Sequence, residues 1–205
     1  MFIASLKNLT SLVANRAFGK ITDEGLLLLS TMTNLTRLEL DDHIISAIGI
    51  SRHLSKLCRL STLSLSGCDL IDESDHHTTN NFPIIFPSLT NLNISRSHHI
   101  CLTYMIKFLS IQTLTALDIS FLRKDMTDES LLYLSALSNL KKLDLRDCGR
   151  NITITGILKS LSCLKSLNDL GISKKLGINK HKFFFDNEND IFDLEYLCKH
   201  NLRIF

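Results

Sequence analysis

The sequence predicts an α/β fold, a right-handed solenoid with about seven parallel strands on its concave side and helices on its convex side. Three observations point there. A six-residue pattern, L-x-x-L-x-L or a close variant, recurs seven times. The segments between copies are long enough for a helical return, and two of them are near duplicates. Leucine supplies 39 of the 205 residues, whereas proline occurs only twice. Self-similarity at a period of roughly 20 to 50 residues marks stacked coils. Parallel crossovers are almost always right-handed, which sets the hand.

The coils start near residues 9, 35, 60, 89, 114, 140 and 167, at intervals of 26, 25, 29, 25, 26 and 27. They read "LTSLVA", "LTRLEL", "LSTLSL", "LTNLNI", "LTALDI", "LKKLDL" and "LNDLGI". In each, the fourth and sixth residues alternate on a short strand and point inward. The first packs on the same core from the turn leading in. Seven such strands at ~4.8 Å give a stack of about 29 Å.

The return segments "ITDEGLLLLSTMTN" (Ile21 to Asn34) and "MTDESLLYLSALSN" (Met126 to Asn139) read as helices. Thr22-Asp23 and Thr127-Asp128 stand where N-caps are expected, and the acids suit the positive helix end. Leu26, Leu29, Leu131, Leu134 and Leu137 recur at the spacing of one buried helix face. "ITITGILKSLSCLKS" (Ile152 to Ser166) is a weaker third version. The segment from Ile71 to Ser88 holds both prolines, Pro83 and Pro87, and is expected to be an irregular loop. The whole chain, 1–205, reads as one domain with a partial cap over 181–205. The first residues resemble the last helical turn of a preceding coil. More repeats, or a capping partner, are therefore expected at the exposed ends.

Composition excludes several classes. A net charge of +2 leaves no footprint of nucleic-acid binding. No apolar run approaches the ~18 residues of a membrane span. The start, "MFIASLKNLTSLV", has neither a basic n-region nor a continuous apolar stretch, so no signal peptide is read there. Six scattered cysteines without C-x-x-C favour reduced thiols, and hence a cytoplasmic chain, or a host cytoplasm for a microbial effector. Four N-x-S/T triplets, at Asn8, Asn34, Asn93 and Asn151, read as repeat consensus.

No catalytic, cofactor or metal site is read. There is no P-loop, G-x-G-x-x-G, H-E-x-x-H or G-x-S-x-G. His76-His77 and His98-His99 read as solvated loop residues. Lys174, Lys175, Lys180 and Lys182 read as a solvated turn. Cys198, near His200, reads as a core thiol.

What remains is the concave face, formed by the third, fifth and seventh positions of each coil. Its candidate partner-binding residues are Arg37, Glu39, Asp41, Asn91, Asn93, Asp118, Lys142, Asp144, Arg146 and Asp169. Arg37 and Arg146 are the expected anchors, because these triplets contain no aromatic residue. The fifth-position column leans acidic and favours a basic segment of another protein.

"LSLSGCDLID", "LDLRDCGRNIT" and "ITDEGLLLL" resemble leucine-rich repeats of the cysteine-containing type, known from F-box substrate receptors of ubiquitin ligases. The resemblance runs from about residue 3 to about 175. It implies a non-enzymatic protein-interaction module that uses its concave face or the 71–88 loop, and more sharply the substrate-recognition part of a ubiquitin-ligase-type receptor, although no F-box is visible. Two other readings stay open: the targeting half of a microbial effector or enzyme, and a structural segment of a longer array. The resemblance also implies a ladder residue at the ninth position. Cysteine fills it only at Cys68 and Cys148, while Ala17, His43, Ser97, Leu122 and Lys175 stand elsewhere. A regular hydrogen-bonded ladder is therefore expected only in those two coils.

Overall fold

The computed structural model describes residues 6–16, 19–71, 84–98, 108, 111–122, 126–148 and 152–172. The expected cap over 181–205, Pro83, and ladder positions Ala17 and Lys175 lie outside them. Seven three-residue strands form one parallel sheet. They are β1 (Ser11–Val13), β2 (Arg37–Glu39), β4 (Thr62–Ser64), β6 (Asn91–Asn93), β7 (Ala116–Asp118), β8 (Lys142–Asp144) and β9 (Asp169–Gly171). Each covers the third to fifth positions of its coil. Register is kept position for position, so Leu12, Leu38, Leu63, Leu92, Leu117, Leu143 and Leu170 form one column. All of these but Leu12 are buried. With the first- and sixth-position residues they make a single continuous core.

A second ladder was not legible beforehand. β3 (Ile44–Ser46) pairs in parallel with β5 (Asp69–Ile71), and His98 bridges to Asp69. Ile71 therefore ends a strand, a correction to the irregular loop expected from that residue onward. Residues 84–88 adopt no regular structure, with Ile84 and Phe86 buried, and 72–83 lie outside the described set.

Helices return the chain: α1 (Asp23–Leu29), α2 (Ala47–His53), α3 (Asp128–Leu131) and α4 (Ile154–Leu161). Short 3-10 turns follow α2 (Leu54–Lys56) and α3 (Leu132–Ala136). Leu26, Leu29, Leu131, Leu134 and Leu137 are buried, as their spacing requires. The caps divide differently from expectation. Thr127 forms a capping box with Ser130, whereas Thr22 makes no side-chain cap bond. The acids reach into the next coil instead. Asp23 accepts from Ser46 N, at 2.9 Å, and from its hydroxyl. Asp128 accepts from Thr153 N at 2.7 Å and from its Oγ1 at 2.6 Å. Ser46 and Thr153 in turn accept from Gly49 N and Gly156 N, at 2.8 and 3.0 Å. A Cβ on either glycine would sit 2.2 or 2.0 Å from the carboxylate, so each clasp requires glycine.

Two side-chain columns bind coil to coil. At the second position, Thr36, Ser61, Thr90 and Thr115 each donate a hydroxyl to the second-position carbonyl of the preceding coil, at 2.9–3.2 Å. At the ninth position the ladder is more regular than expected. Cys68 and Cys148 donate to the carbonyls of Leu40 and Ile119, at 2.9 and 3.0 Å. Ser97 donates to Leu65, at 3.0 Å. His43, 1% exposed, accepts from Ile21 N at Nδ1 (3.2 Å) and so donates from Nε2 to the Ala14 carbonyl (2.7 Å). A ladder needs a small or flat donor, not a thiol. Apolar Leu122 alone interrupts it among the described residues.

Candidate functional site

The concave face carries a depression of about 390 Å³. Seven of the ten sequence-predicted residues line it: Glu39, Asn91, Asn93, Asp118, Lys142, Asp144 and Asp169. It exists because the strand residues at its centre are short, namely Thr62, Ser64 and Ala116, with Gly171 at one side. Arg37, Asp41 and Arg146 stand outside its lining.

Much of this polarity serves the backbone. The sixth-position N–H donates to the fifth-position carbonyl of the next coil, as Ile94 does to Asp118. The eighth-position N–H donates to the seventh-position carbonyl, as Arg96 does to Ser120. The seventh-position N–H is thereby left without a strand partner, and an unpaired buried N–H is costly. Side chains fill the gap. Asn93, Asp118 and Asp144 accept from Ser95 N, Ser120 N and Arg146 N, at 2.9, 2.9 and 3.0 Å. Asn15 and Asp41 accept across coils, from Asp41 N and Ser66 N, each at 2.9 Å.

The expected anchors are tied internally. Arg37 pairs with Glu39. Arg146 straddles Asp144, with Nε 2.9 Å from both carboxylate oxygens. That bond, ahead of the surrounding acids, raises the Arg146 pKa above its ordinary value. Lys142 lies 3.7 Å from Asp169. The two arginines therefore close the face as much as they equip it.

One set of rim residues was missed by counting alternate positions. The eighth residue of six coils has a left-handed backbone: Arg16, Asp42, Gly67, Arg96, Phe121 and Asp147, with φ from 50° to 67°. The turn there is imposed by the coil, since five of the six are not glycine. The sequence signal was Gly67, helped by Asp42 and Asp147, residue types that tolerate this region. The rim adds what the triplets lack. The Arg96 guanidinium lies 5.2 Å from the centre of the Phe121 ring. Arg16 and Asp42 pair at 2.6 Å.

Burial pushes the Cys68 thiol up to about 11 and the Cys148 thiol higher still, so both are protonated at neutral pH. Cys58 and Cys163 are exposed. Among the described residues no three His, Cys, Asp or Glu side chains gather as a metal site, and no helix is long and apolar enough to cross a membrane. His76, His77, His99, Cys198 and the lysines from 174 to 182 lie outside the described residues.

No protein-family model matches the chain, and no curated protein does. Among solved structures the chain resembles internalin C2 from Listeria monocytogenes, at 21% identity and a TM-score of 0.41. The match covers 75% of this chain and 65% of that one. Strand order, register and the coil-to-coil ladders make the fold of this chain a leucine-rich-repeat solenoid.

Proposed function

We propose that the chain is a non-enzymatic protein-binding module whose partner is received on the concave face. The observation that carries this reading is the depression itself. Short side chains at its floor leave room for an incoming segment, and polar residues surround them. A strand face whose centre is kept short serves packing against a second chain better than it serves the solenoid's own core, which lies on the other side of the sheet.

The finer reading makes the chain the substrate-recognition part of a ubiquitin-ligase-type receptor, acting in the cytoplasm. Support comes from the cysteine-type repeat sequence, from Cys68 and Cys148 in ladder positions, and from four described cysteines that are all free. The test is affinity capture of the tagged chain from native lysate, read by mass spectrometry. The control combines Arg37→Ala, Ala116→Lys, Asp118→Asn, Asp144→Asn and Arg146→Ala, so that the middle of the depression is filled as well as its edge changed. Asparagine at 144 keeps the bond to the residue-146 N–H, as Asn93 does for Ser95. Partners lost from the control would place recognition on the concave face, and ligase subunits among those retained would support the receptor reading. Identical captures would remove the concave face as the site.

A further inference from the structure

The centre of the concave face is a block of four residues. Asn91 faces Ala116 across adjacent strands, and Asn93 faces Asp118 in the same register. One step further, Asp118 faces Asp144. Like charges directly opposite each other are destabilising. Asp144 has its counter-charge in Arg146. Asp118 feels Arg146 only through space and makes no direct ion pair with it: both of its hydrogen bonds, from Ser120 N and Ser120 Oγ, fall on Oδ1. Among the described residues no ion pair is made by Asp118 and nothing donates to its Oδ2.

The fold does not need that charge. Asn93, one coil earlier, makes the same 2.9 Å bond to its own seventh-position N–H with a neutral amide. The carboxylate is thus surplus to structure, half-buried, and set in the wall of the depression. Beside it, Ala116 is the smallest side chain on the central strands. The exposed Asn91 side chain makes no hydrogen bond among the described residues, while its backbone N–H donates to the Ser61 carbonyl. Glu39, Asp41, Asp118, Asp144 and Asp169 set five negative charges on the face, against three positive ones from Arg37, Lys142 and Arg146. The three cations already have partners in Glu39, Asp169 and Asp144.

Resting on the concave-face reading above, we infer that the occupant is an extended segment of a partner protein carrying a lysine or arginine, whose cation sits on Asp118 and whose aliphatic stem lies over Ala116. The amide of Asn91 then meets a neighbouring peptide group of the same segment. A long basic side chain fits because its stem covers apolar surface while its head reaches the acid. The pair forms on a half-buried carboxylate in the wall of the depression, where charge complementarity selects the partner.

The test uses random peptides displayed on phage, selected against the wild-type chain, Asp118→Asn and Ala116→Lys. Asparagine at 118 removes the charge and keeps the bond to Ser120 N. An unchanged unfolding midpoint verifies this. Lysine at 116 fills the hollow and supplies the cation internally. The expected result is wild-type selection of peptides with a basic residue at a fixed place. A synthesised peptide of that kind should bind Asp118→Asn at least about tenfold more weakly and Ala116→Lys more weakly still. Selected peptides without a basic residue, retained by Asp118→Asn and lost by Ala116→Lys, would overturn the inference and leave the concave-face reading standing. Selection unaffected by either change, or no selection by the wild type, would overturn both.

Discussion

Replacing Gly49 with alanine tests the idea that acid clasps join successive coils. Alanine is ordinarily the better helix residue, by about 1 kcal/mol. Here its Cβ would stand 2.2, 2.3 and 2.6 Å from Asp23 Oδ1, Cγ and Oδ2. None of these distances is tolerable, so the carboxylate must leave. It then gives up its bonds to Ser46 N and to the Ser46 hydroxyl. Hydrogen bonds to a charged group contribute about 1.5–3 kcal/mol each. Two lost bonds, less the gain in helix propensity, make Gly49→Ala destabilising by about 2–5 kcal/mol. Urea unfolding followed by circular dichroism measures this directly. The decisive arm is the double mutant. With Asp23→Ala in place there is no carboxylate to displace, and Gly49→Ala should be neutral or stabilising by up to about 1 kcal/mol. If it costs as much there as in the wild type, the clasp is not the reason for the glycine.

His43→Ala leaves the Ile21 N–H and the Ala14 carbonyl without their bridge and opens a cavity, and should cost about 3 kcal/mol in urea unfolding; a loss below about 1 would remove His43 from the ladder. Cys58 and Cys163 should react with a thiol reagent in the native chain, and Cys68 and Cys148 only after denaturant, as read by peptide mapping. The Cys68 thiol is raised by burial from 9.0 to about 11, so its contribution is fully present below 9.0. That stability is lost as the pH climbs towards 11, because the unfolded thiol ionises first. A Cys68→Ser variant should show a smaller loss across that alkaline window. Asp144→Asn keeps the bond to Arg146 N and removes an ion pair that is partly exposed, so stability should change by less than about 1 kcal/mol.

The strands were legible because their signal is local and apolar. Leucines at the fourth and sixth positions give each short strand an inward side, and seven repetitions leave little choice of register. Helices α1, α3 and α4 were legible for the same reason. Helix α2 was not, since Ser46 and Gly49 carry neither the T-D start nor a leucine run. Asp23 looked like a capping acid because sequence shows only the helix that follows it. Its partner, Ser46, lies 23 residues on and becomes a neighbour only when the coils stack. His43 and Ser97 failed to look like ladder residues because family likeness suggested cysteine, while the position asks only for a buried donor of modest size. The left-handed rim was hidden because five of its six described residues are not glycine, so the usual local cue was missing.

The same distinction decides how much of the concave face is open to a partner. Parallel coils leave the seventh-position N–H unpaired at each step, and the fold answers with oxygen from the fifth or seventh position. Asp41, Asn93 and Asp144 are therefore retained by the backbone whatever binds. Arg37 with Glu39, Arg146 with Asp144, and Lys142 with Asp169 balance one another. A surface that reads as ten polar contacts in the sequence reduces to very few groups with bonding capacity to offer. Among them, the Asn91 amide and the second oxygen of Asp118 stand on either side of Ala116, at the middle of the sheet. Recognition concentrated at the centre of a contact, ringed by groups already satisfied, is the arrangement in which a few residues carry most of the binding energy.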